Sequence, residues 1–264
     1  MTAAWRVCKG LREPMVDPFP LYLPSEARRL FQSESLLRRF AQAAHFTGGS
    51  RLLEVHASLG GLALARALNC TLTVIEPDAK VADTLKERAR LAGLGDKVTW
   101  LVQPLSTVSF PAKSFDGIFS LGRIAGPPEL LARMFRPWLD EKGRLALTYV
   151  MAVGRTPSPT ALESWAERLG RPIVSPRETL LSVEPEGFEP EIVETLGDPE
   201  MDEFYREVEA ALVKQPVETD AVKAVKAEIV VHRAQQGKAG ATYGVIVARR
   251  KEPGEKPPLS RDGG

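Results

Sequence analysis

The sequence of 264 residues contains few of the features that mark secreted or metal-binding proteins. Its two cysteines, Cys8 and Cys70, form neither a CxxC pair nor a set with metal-ligand spacing. Its three histidines also have no His or Cys partner at ligand spacing; they are His45, His56 and His232. We therefore expect no disulfide framework, no metal site and a reducing compartment.

Long apolar runs and an excess of one charge are missing as well. No apolar segment approaches the roughly 20 residues that a membrane-spanning helix needs, and charges begin too early for a secretory signal. The net charge is +1, so no global field favours nucleic acid or an anionic membrane. The sequence predicts a cytoplasmic protein without nucleic-acid or membrane partners.

Two motifs of hydrolytic and phosphate chemistry are absent: the GxSxG elbow and the Gly-rich loop that ends in Gly-Lys-Ser/Thr. The arginines of residues 28–39 alternate with Glu26 and Glu34, which favours a solvated helix face over a nucleic-acid patch. The composition, 44% hydrophobic and 26% charged, is that of an ordinary globular protein.

Short apolar strands alternate with amphipathic helices through the first half of the chain. The predicted strands are 51–55, 71–76, 97–102, 115–120 and 144–150, and the predicted helices are 61–68, 77–92 and 127–139. A turn at 141–143 precedes the last of these strands. Such alternation is typical of βαβ units, so it predicts a parallel sheet in an α/β fold.

The remaining segments divide the chain around this core. Residues 1–25 form a proline-rich lead-in segment, 26–250 one domain with its core at 50–150, and 251–264 a disordered tail. Within that domain, 25–46 predicts one or two amphipathic helices and about 156–236 a cap over the sheet. The later predicted elements are helices at 158–170, 175–183 and 199–236, the last interrupted by Pro216, and strands at 188–196 and 241–250.

The junction of the first strand and first helix carries the most informative motif. It reads Leu52-Leu53-Glu54-Val55-His56-Ala57-Ser58-Leu59-Gly60. With Phe110-Pro111 and Ser114-Phe115-Asp116 further on, it resembles the class I S-adenosylmethionine-dependent methyltransferases over roughly residues 50–150. That family carries an acid followed by Gly-x-Gly-x-Gly here; this chain keeps Glu54 and Gly60 but replaces the first two glycines with His56 and Ser58.

The resemblance implies a Rossmann-like α/β fold: a seven-stranded, mostly parallel sheet whose last strand is antiparallel, with helices on both faces. It implies methyl transfer from the cofactor S-adenosylmethionine to an oxygen, nitrogen or carbon of a small molecule. The cofactor-binding residues that it implies are Glu54, His56, Ala57, Ser58, Gly60, Glu76, Pro77, Gln103 and Leu105. No catalytic residue is assigned, because methyl transfer mainly needs alignment of the two reactants.

Two of these positions, Glu76 and Gln103, carry specific expectations. Glu76, at the end of the second strand, accepts both ribose hydroxyls in this interpretation; the alternative is a solvated carboxylate near a helix start. In the third motif, Pro104 replaces the Asp that would accept from the adenine amino group. Gln103 or a backbone carbonyl would then have to substitute for it.

The replaced glycines leave two hypotheses open. If the loop keeps the shape seen in the family, the His56 imidazole collides with the amino-acid part of the cofactor; if it has relaxed, the imidazole can bind the cofactor carboxylate. The chain is accordingly either a small-molecule methyltransferase or a non-catalytic relative that acts as a scaffold or regulator of a protein partner. A dinucleotide-dependent dehydrogenase fits less well, since its G-x-G-x-x-G fingerprint is not matched.

Some further residues are candidates whose structural alternative is at least as strong. Trp165, Phe204 and Tyr205 either line a substrate pocket or belong to the core. Arg123 either meets an acidic ligand at the sheet edge or is solvated, and Asp116 is interpreted as structural.

Overall fold

The computed structural model describes residues 40–42, 45–121, 124–154, 159–213, 220–234 and 240–252. The predicted lead-in segment, nearly all of the helical stretch at 25–46, Arg123 and the tail beyond 252 lie outside these residues. The later sections concern the described residues alone.

Seven strands form a single sheet in the order β3-β2-β1-β4-β5-β7-β6. They are β1 (Arg51–Val55), β2 (Thr71–Ile75), β3 (Val98–Leu101), β4 (Phe115–Ser120), β5 (Leu139–Ala152), β6 (Phe188–Thr195) and β7 (Ala241–Arg250). The first five strands are parallel to their sheet neighbours among themselves, whereas β7 lies between β5 and β6 and is antiparallel to both. This topology confirms the predicted fold, including the antiparallel last strand.

The connections are mostly helical. The helices are α1 (Leu59–Leu68), α2 (Ala79–Leu91), α3 (Pro128–Phe135), α4 (Pro159–Leu169), α5 (Pro176–Leu181), α6 (Asp198–Leu212) and α7 (Asp220–Ala234). Two short 3-10 helices are Leu105–Thr107 and Glu184–Glu186, and residues 40–42 are also helical. The stretch predicted as an interrupted helix at 199–236 contains α6 and α7, and Pro216 itself lies outside the described residues.

One boundary differs from the sequence prediction. The helix expected to reach residue 139 ends at Phe135, because Pro137 cannot donate a backbone hydrogen bond and hinders the preceding turn. Strand β5 then begins at Leu139, so the expected turn at 141–143 is an irregularity within the strand rather than its start. The pairing of β4 with β5 shifts register at this point.

The strand register brings three carboxyl ends to one edge of the sheet. Glu54 of β1 pairs with Phe119 of β4, which pairs with Ala146 of β5. Since α1 and α3 are the next helices after β1 and β4 in this parallel part of the sheet, their N-termini lie at this same edge. Ligands of open α/β sheets bind at the carboxyl ends of the strands, so this edge is where the candidate site must lie.

Asp116 stabilises the opposite edge, as expected for a structural residue. The Asp116 carboxylate accepts hydrogen bonds from the backbone N–H of Arg51 at 2.7 Å and from the Arg51 guanidinium at 2.8 Å. These bonds join the start of β4 to the start of β1. The guanidinium and backbone hydrogen bonds outweigh partial burial and lower the pKa of Asp116.

Candidate functional site

His56 keeps the backbone conformation that the replaced glycine would supply. It follows β1 directly and has φ of 64°, in the left-handed region. Its N–H donates to the carbonyl of Ile75 at 2.9 Å, which continues the pairing of β1 with β2. The loop has therefore not relaxed: the turn persists with a histidine in it, at a conformational cost of ~1 kcal/mol.

Ser58, at the second replaced glycine, needs no special backbone freedom. Its φ is −138°, extended backbone that any residue adopts. Its hydroxyl caps α1 by accepting the N–H of Gly61 at 3.1 Å and donates to the Glu54 carboxyl at 2.5 Å. Serine thus links the end of the strand to the start of the helix.

Glu54 is completely buried beneath this loop. Burial raises the pKa of Glu54 to about 8; hydrogen bonding from Ser58 opposes the shift and the charge of Glu76 adds to it. Its second oxygen, Oε2, has no hydrogen-bond partner within the described residues. The hydrogen bond from Ser58 and the burial of the carboxyl fit a residue that holds the loop in position.

Glu76 lies at the end of β2, directly beside the same loop. One carboxylate oxygen accepts the N–H of Ala57 at 3.1 Å and the other accepts the N–H of Asp78 at 3.0 Å. The side chain is fully buried. Asp78 in turn caps α2 through the N–H groups of Lys80 and Val81. Glu76 is therefore a component of the loop, not the solvated carboxylate of the alternative interpretation.

The structure brings most of the predicted cofactor residues together. Ala57 and Gly60 are buried, and hydrogen bonds join the first loop to Glu76. Pro77, Gln103 and Leu105 are half-buried, the last two just beyond the end of β3. The N–H of Glu76 donates to the carbonyl of Leu101 at 3.0 Å, so the loop after β3 lies beside the loop after β2. Pro104 is exposed and offers no side-chain acceptor.

The three candidate aromatic residues belong to the core. Trp165, Phe204 and Tyr205 are each at most 6% exposed. The rings of Trp165 and Phe204 meet the buried ring of Tyr243 edge to face, with centroids 5.5 and 5.8 Å apart. The structural alternative therefore describes these side chains.

A buried polar cluster, unforeseen from the sequence, joins the late helices to the sheet. Glu228 of α7 accepts the hydroxyls of Tyr205 and Tyr243 at 2.6 and 3.0 Å, and pairs with Arg168 of α4 at 2.5 Å. The sequence contains no signal for this cluster because its members lie on four different elements. We refer to these four residues below as the Glu228 cluster.

The described residues contain neither a membrane-spanning helix nor a cluster of metal ligands. None of the described helices is both long and apolar enough to cross a membrane. Within the same residues, no group of three or more His, Cys, Asp or Glu side chains is arranged to hold a metal ion.

The fold and sequence were compared with known proteins. No family model matches the sequence. The sequence is 28% identical over 191 residues to the 27-O-demethylrifamycin SV methyltransferase of Amycolatopsis mediterranei (strain S699), which covers 67% of this chain and 68% of that protein.

Solved structures with the same fold cover most of the chain. A Geobacter sulfurreducens SAM-dependent methyltransferase in complex with S-adenosyl-L-homocysteine superposes with a TM-score of 0.67. The superposition has 13% sequence identity and covers 95% of this chain and 99% of that protein. The [4+2]-cyclase SpnF superposes with a TM-score of 0.65 at 20% identity, over 83% of this chain and 81% of its own. At these identities the likeness establishes the fold.

Proposed function

We propose that the chain is a class I S-adenosylmethionine-dependent methyltransferase that transfers a methyl group from S-adenosylmethionine to a small molecule. The observation that carries the proposal is the hydrogen bond between Ala57 of the first loop and the Glu76 carboxylate. It holds the acid that we assign to the ribose against the turn that a nucleoside cofactor would approach.

The loop has the form that such a cofactor requires. Its backbone makes a left-handed turn at His56 and then enters α1, whose N-terminus favours a carboxylate. Gly60 begins that helix without a side chain, which allows a ligand to approach the backbone closely. We assign Glu54 and Ser58 to holding this turn in place.

We assign Glu76 to the ribose of the cofactor. Its two carboxylate oxygens accept the backbone N–H groups of Ala57 and Asp78. Its complete burial means that ribose hydroxyls reach it only when the covering residues separate. Opening and closing steps of this kind are common in enzymes that exclude water.

The division of chemical work is simple. When bound, S-adenosylmethionine supplies a methyl group that is already activated for transfer. The protein has to hold the acceptor in line with this methyl group. Good orientation of two reactants can by itself lower the reaction barrier by on the order of 7–11 kcal/mol. The half-buried Pro77, Gln103 and Leu105 are assigned to the cofactor's nucleoside end, beyond the end of β3.

A non-catalytic role is the second hypothesis from the sequence. The replaced glycines and Pro104 are its basis, and the His56 side chain in the preserved turn is its strongest support, whereas Ser58 has an ordinary backbone. A fold by itself does not fix the reaction, as a cyclase with this fold illustrates. The buried Glu76 against the loop and the similarity to a known methyltransferase favour the enzyme.

Calorimetric titration of the full chain with S-adenosylmethionine and S-adenosylhomocysteine tests the proposal. We expect measurable binding to the wild-type protein and at least tenfold weaker binding to Glu76→Gln. Glu87→Gln is the matched control, because Glu87 is an exposed carboxylate of α2 that pairs with Arg90. Absence of heat at millimolar ligand, with the protein folded, would reject the methyltransferase in favour of the non-catalytic role.

Transfer is then measured with S-adenosylmethionine labelled in the methyl group. The acceptor panel contains alcohols, phenols and amines, with 27-O-demethylrifamycin SV included because it is the acceptor named for the similar Amycolatopsis protein. Transfer to at least one compound is expected, and its loss in Glu76→Gln but not in Glu87→Gln assigns the activity to this site.

A further inference from the structure

Two buried polar atoms without hydrogen-bond partners belong to residues whose charges interact, at the edge of the sheet beyond the end of β4. They are the hydroxyl of Tyr149 in β5 and Oε2 of Glu129 in the first turn of α3; neither has a hydrogen-bond partner in the described ranges. Tyr149 is only 3% exposed. An unsatisfied buried polar group costs ~1–3 kcal/mol, so two in one place require an explanation.

The strand register places this pair beside the proposed cofactor site. Because Glu54, Phe119 and Ala146 are at one level of the sheet, Thr148 is level with His56 and Tyr149 is one residue further. Two strand spacings separate β1 from β5, which is about 10 Å. Tyr149 is therefore at the same edge of the sheet as the first loop, on the far side of β4.

The charges around the pair cancel. Arg171 makes an ion pair with Oε1 of Glu129 and leaves Oε2 available. The charges of Arg171 and Glu129 both act on the Tyr149 phenol, which shows that the three side chains share one environment. Burial raises the pKa of Tyr149 to about 12, so the phenol keeps its proton at neutral pH.

This combination selects the chemistry of a ligand. A hydroxyl group can donate to the free carboxylate oxygen of Glu129 and accept from the phenol of Tyr149, which satisfies both orphaned atoms. An ammonium or a carboxylate would bring an uncompensated charge into a site whose own charges already balance, and burial of such a charge is costly. The site therefore favours an uncharged hydroxyl over either ion.

We propose that Tyr149 and Glu129 form a subsite that binds an uncharged hydroxyl group of the methyl acceptor, with Arg171 keeping the subsite neutral. The proposal rests on the proposed methyltransferase function, which it deepens by naming the acceptor as a neutral, hydroxyl-bearing molecule. Because both atoms are buried, the acceptor reaches them when this edge of the sheet opens.

The test uses three fluorinated probes of one shape: 4-(trifluoromethyl)benzyl alcohol, the corresponding benzylamine and the corresponding benzoate. Binding to the full chain is followed by fluorine NMR, with and without S-adenosylhomocysteine. We expect the alcohol to bind the wild-type protein and the two ions to bind at least tenfold more weakly. Equal or tighter binding of either ion, or no binding of the alcohol, would overturn the proposal.

The variants Tyr149→Phe and Glu129→Gln locate the subsite. Each should weaken alcohol binding about tenfold, the effect of one lost hydrogen bond to a buried or charged partner. Thr148→Val is the matched control, since Thr148 is the neighbouring residue on the opposite face of β5 and also has a buried, unpartnered hydroxyl as far as the structure describes. If Tyr149→Phe retains full affinity, an enclosed water rather than the acceptor satisfies the pair, and the proposal fails.

Arg171→Gln tests the role of charge. Removing the guanidinium leaves Glu129 uncompensated, so the preference should move from the alcohol towards the ammonium probe. An unchanged preference would contradict the neutral subsite. If only the subsite is wrong, Tyr149→Phe, Glu129→Gln and Arg171→Gln bind S-adenosylmethionine as the wild-type protein does in the calorimetric titration. If the wild-type protein itself does not bind S-adenosylmethionine, the methyltransferase proposal has failed.

Discussion

The carboxyl group of Glu54 occupies the volume in which a side chain on Gly61 would begin. A Cβ built on Gly61 would overlap Oε2, Oε1 and the carboxyl carbon of Glu54 together. The two residues lie on either side of the first loop, one at the end of β1 and the other in the first turn of α1. The buried position of the Glu54 carboxyl therefore requires a glycine at position 61.

Gly61→Ala should destabilise the protein by ~1–3 kcal/mol, because the added methyl forces the buried carboxyl out of position. Urea unfolding measures the effect. Gly95→Ala is the matched control, since nothing lies near a Cβ at that position. The double variant with Glu54→Ala should show a smaller additional cost for Gly61→Ala, and a fully additive cost would mean that the two residues do not compete for space.

Glu54 should make stability depend on pH. Below pH 4.5 both folded and unfolded chains carry its proton; between 4.5 and about 8 only the folded chain does, because burial raises the pKa of Glu54 to about 8. The unfolded state therefore gains relative stability as pH rises through this window, and the loss is constant above it. One pKa unit corresponds to ~1.4 kcal/mol, so the free energy of unfolding falls by several times this amount across the window.

Glu54→Gln removes this titration. The difference in free energy of unfolding between the wild-type protein and the variant should fall from pH 5 to pH 8.5, measured by urea unfolding at each pH. Glu87→Gln, on the exposed face of α2, should show no such trend of comparable size. A constant difference across the range would place the pKa of Glu54 near its ordinary value.

His56 and Ser58 should respond in opposite ways to replacement by glycine. His56→Gly removes a left-handed conformation from a residue with a side chain, so thermal stability should rise or stay level, by up to ~1 kcal/mol. Ser58→Gly removes the cap of α1 and the hydrogen bond to Glu54, so stability should fall. A large loss from His56→Gly would show that the imidazole stabilises the folded loop.

Cofactor affinity separates the two interpretations of His56. Because the loop keeps its left-handed turn, we expect His56→Gly to strengthen binding of S-adenosylmethionine in the calorimetric titration. Weaker binding would identify the imidazole as a cofactor contact. Glu87→Gln, on the exposed face of α2, serves as the control.

The Glu228 cluster should make a large contribution to stability. Tyr205→Phe should cost ~1–3 kcal/mol, because it removes a buried hydrogen bond to a carboxylate. Glu228→Leu should cost more, ~3–5 kcal/mol, since it leaves Arg168 buried without its carboxylate. Tyr149→Phe should cost much less than Tyr205→Phe, because the Tyr149 hydroxyl makes no hydrogen bond among the described residues; equal costs would contradict this account.

Local patterns in the sequence were sufficient for the fold. The apolar strand 51–55 and the strand 115–120 lie where their composition predicted, and their order along the chain fixed the parallel core. The helix boundary near Pro137 was wrong because a weak local pattern extended past the residue that stops the helix. The motif also named Glu54, Glu76 and the loop between β1 and α1 as neighbours, and hydrogen bonds join them.

The sequence by itself determined the alternation of strands and helices, and with it the edge of the sheet where a ligand would bind, because periodicity and turn chemistry act over a few residues. Only the tertiary structure decided that the loop keeps its turn with a histidine in it and that Glu54 is buried and protonated at neutral pH. It also decided that Glu129 and Arg171 form an ion pair beside Tyr149. Burial and charge pairing depend on residues far apart in the chain, and no local pattern contains that information.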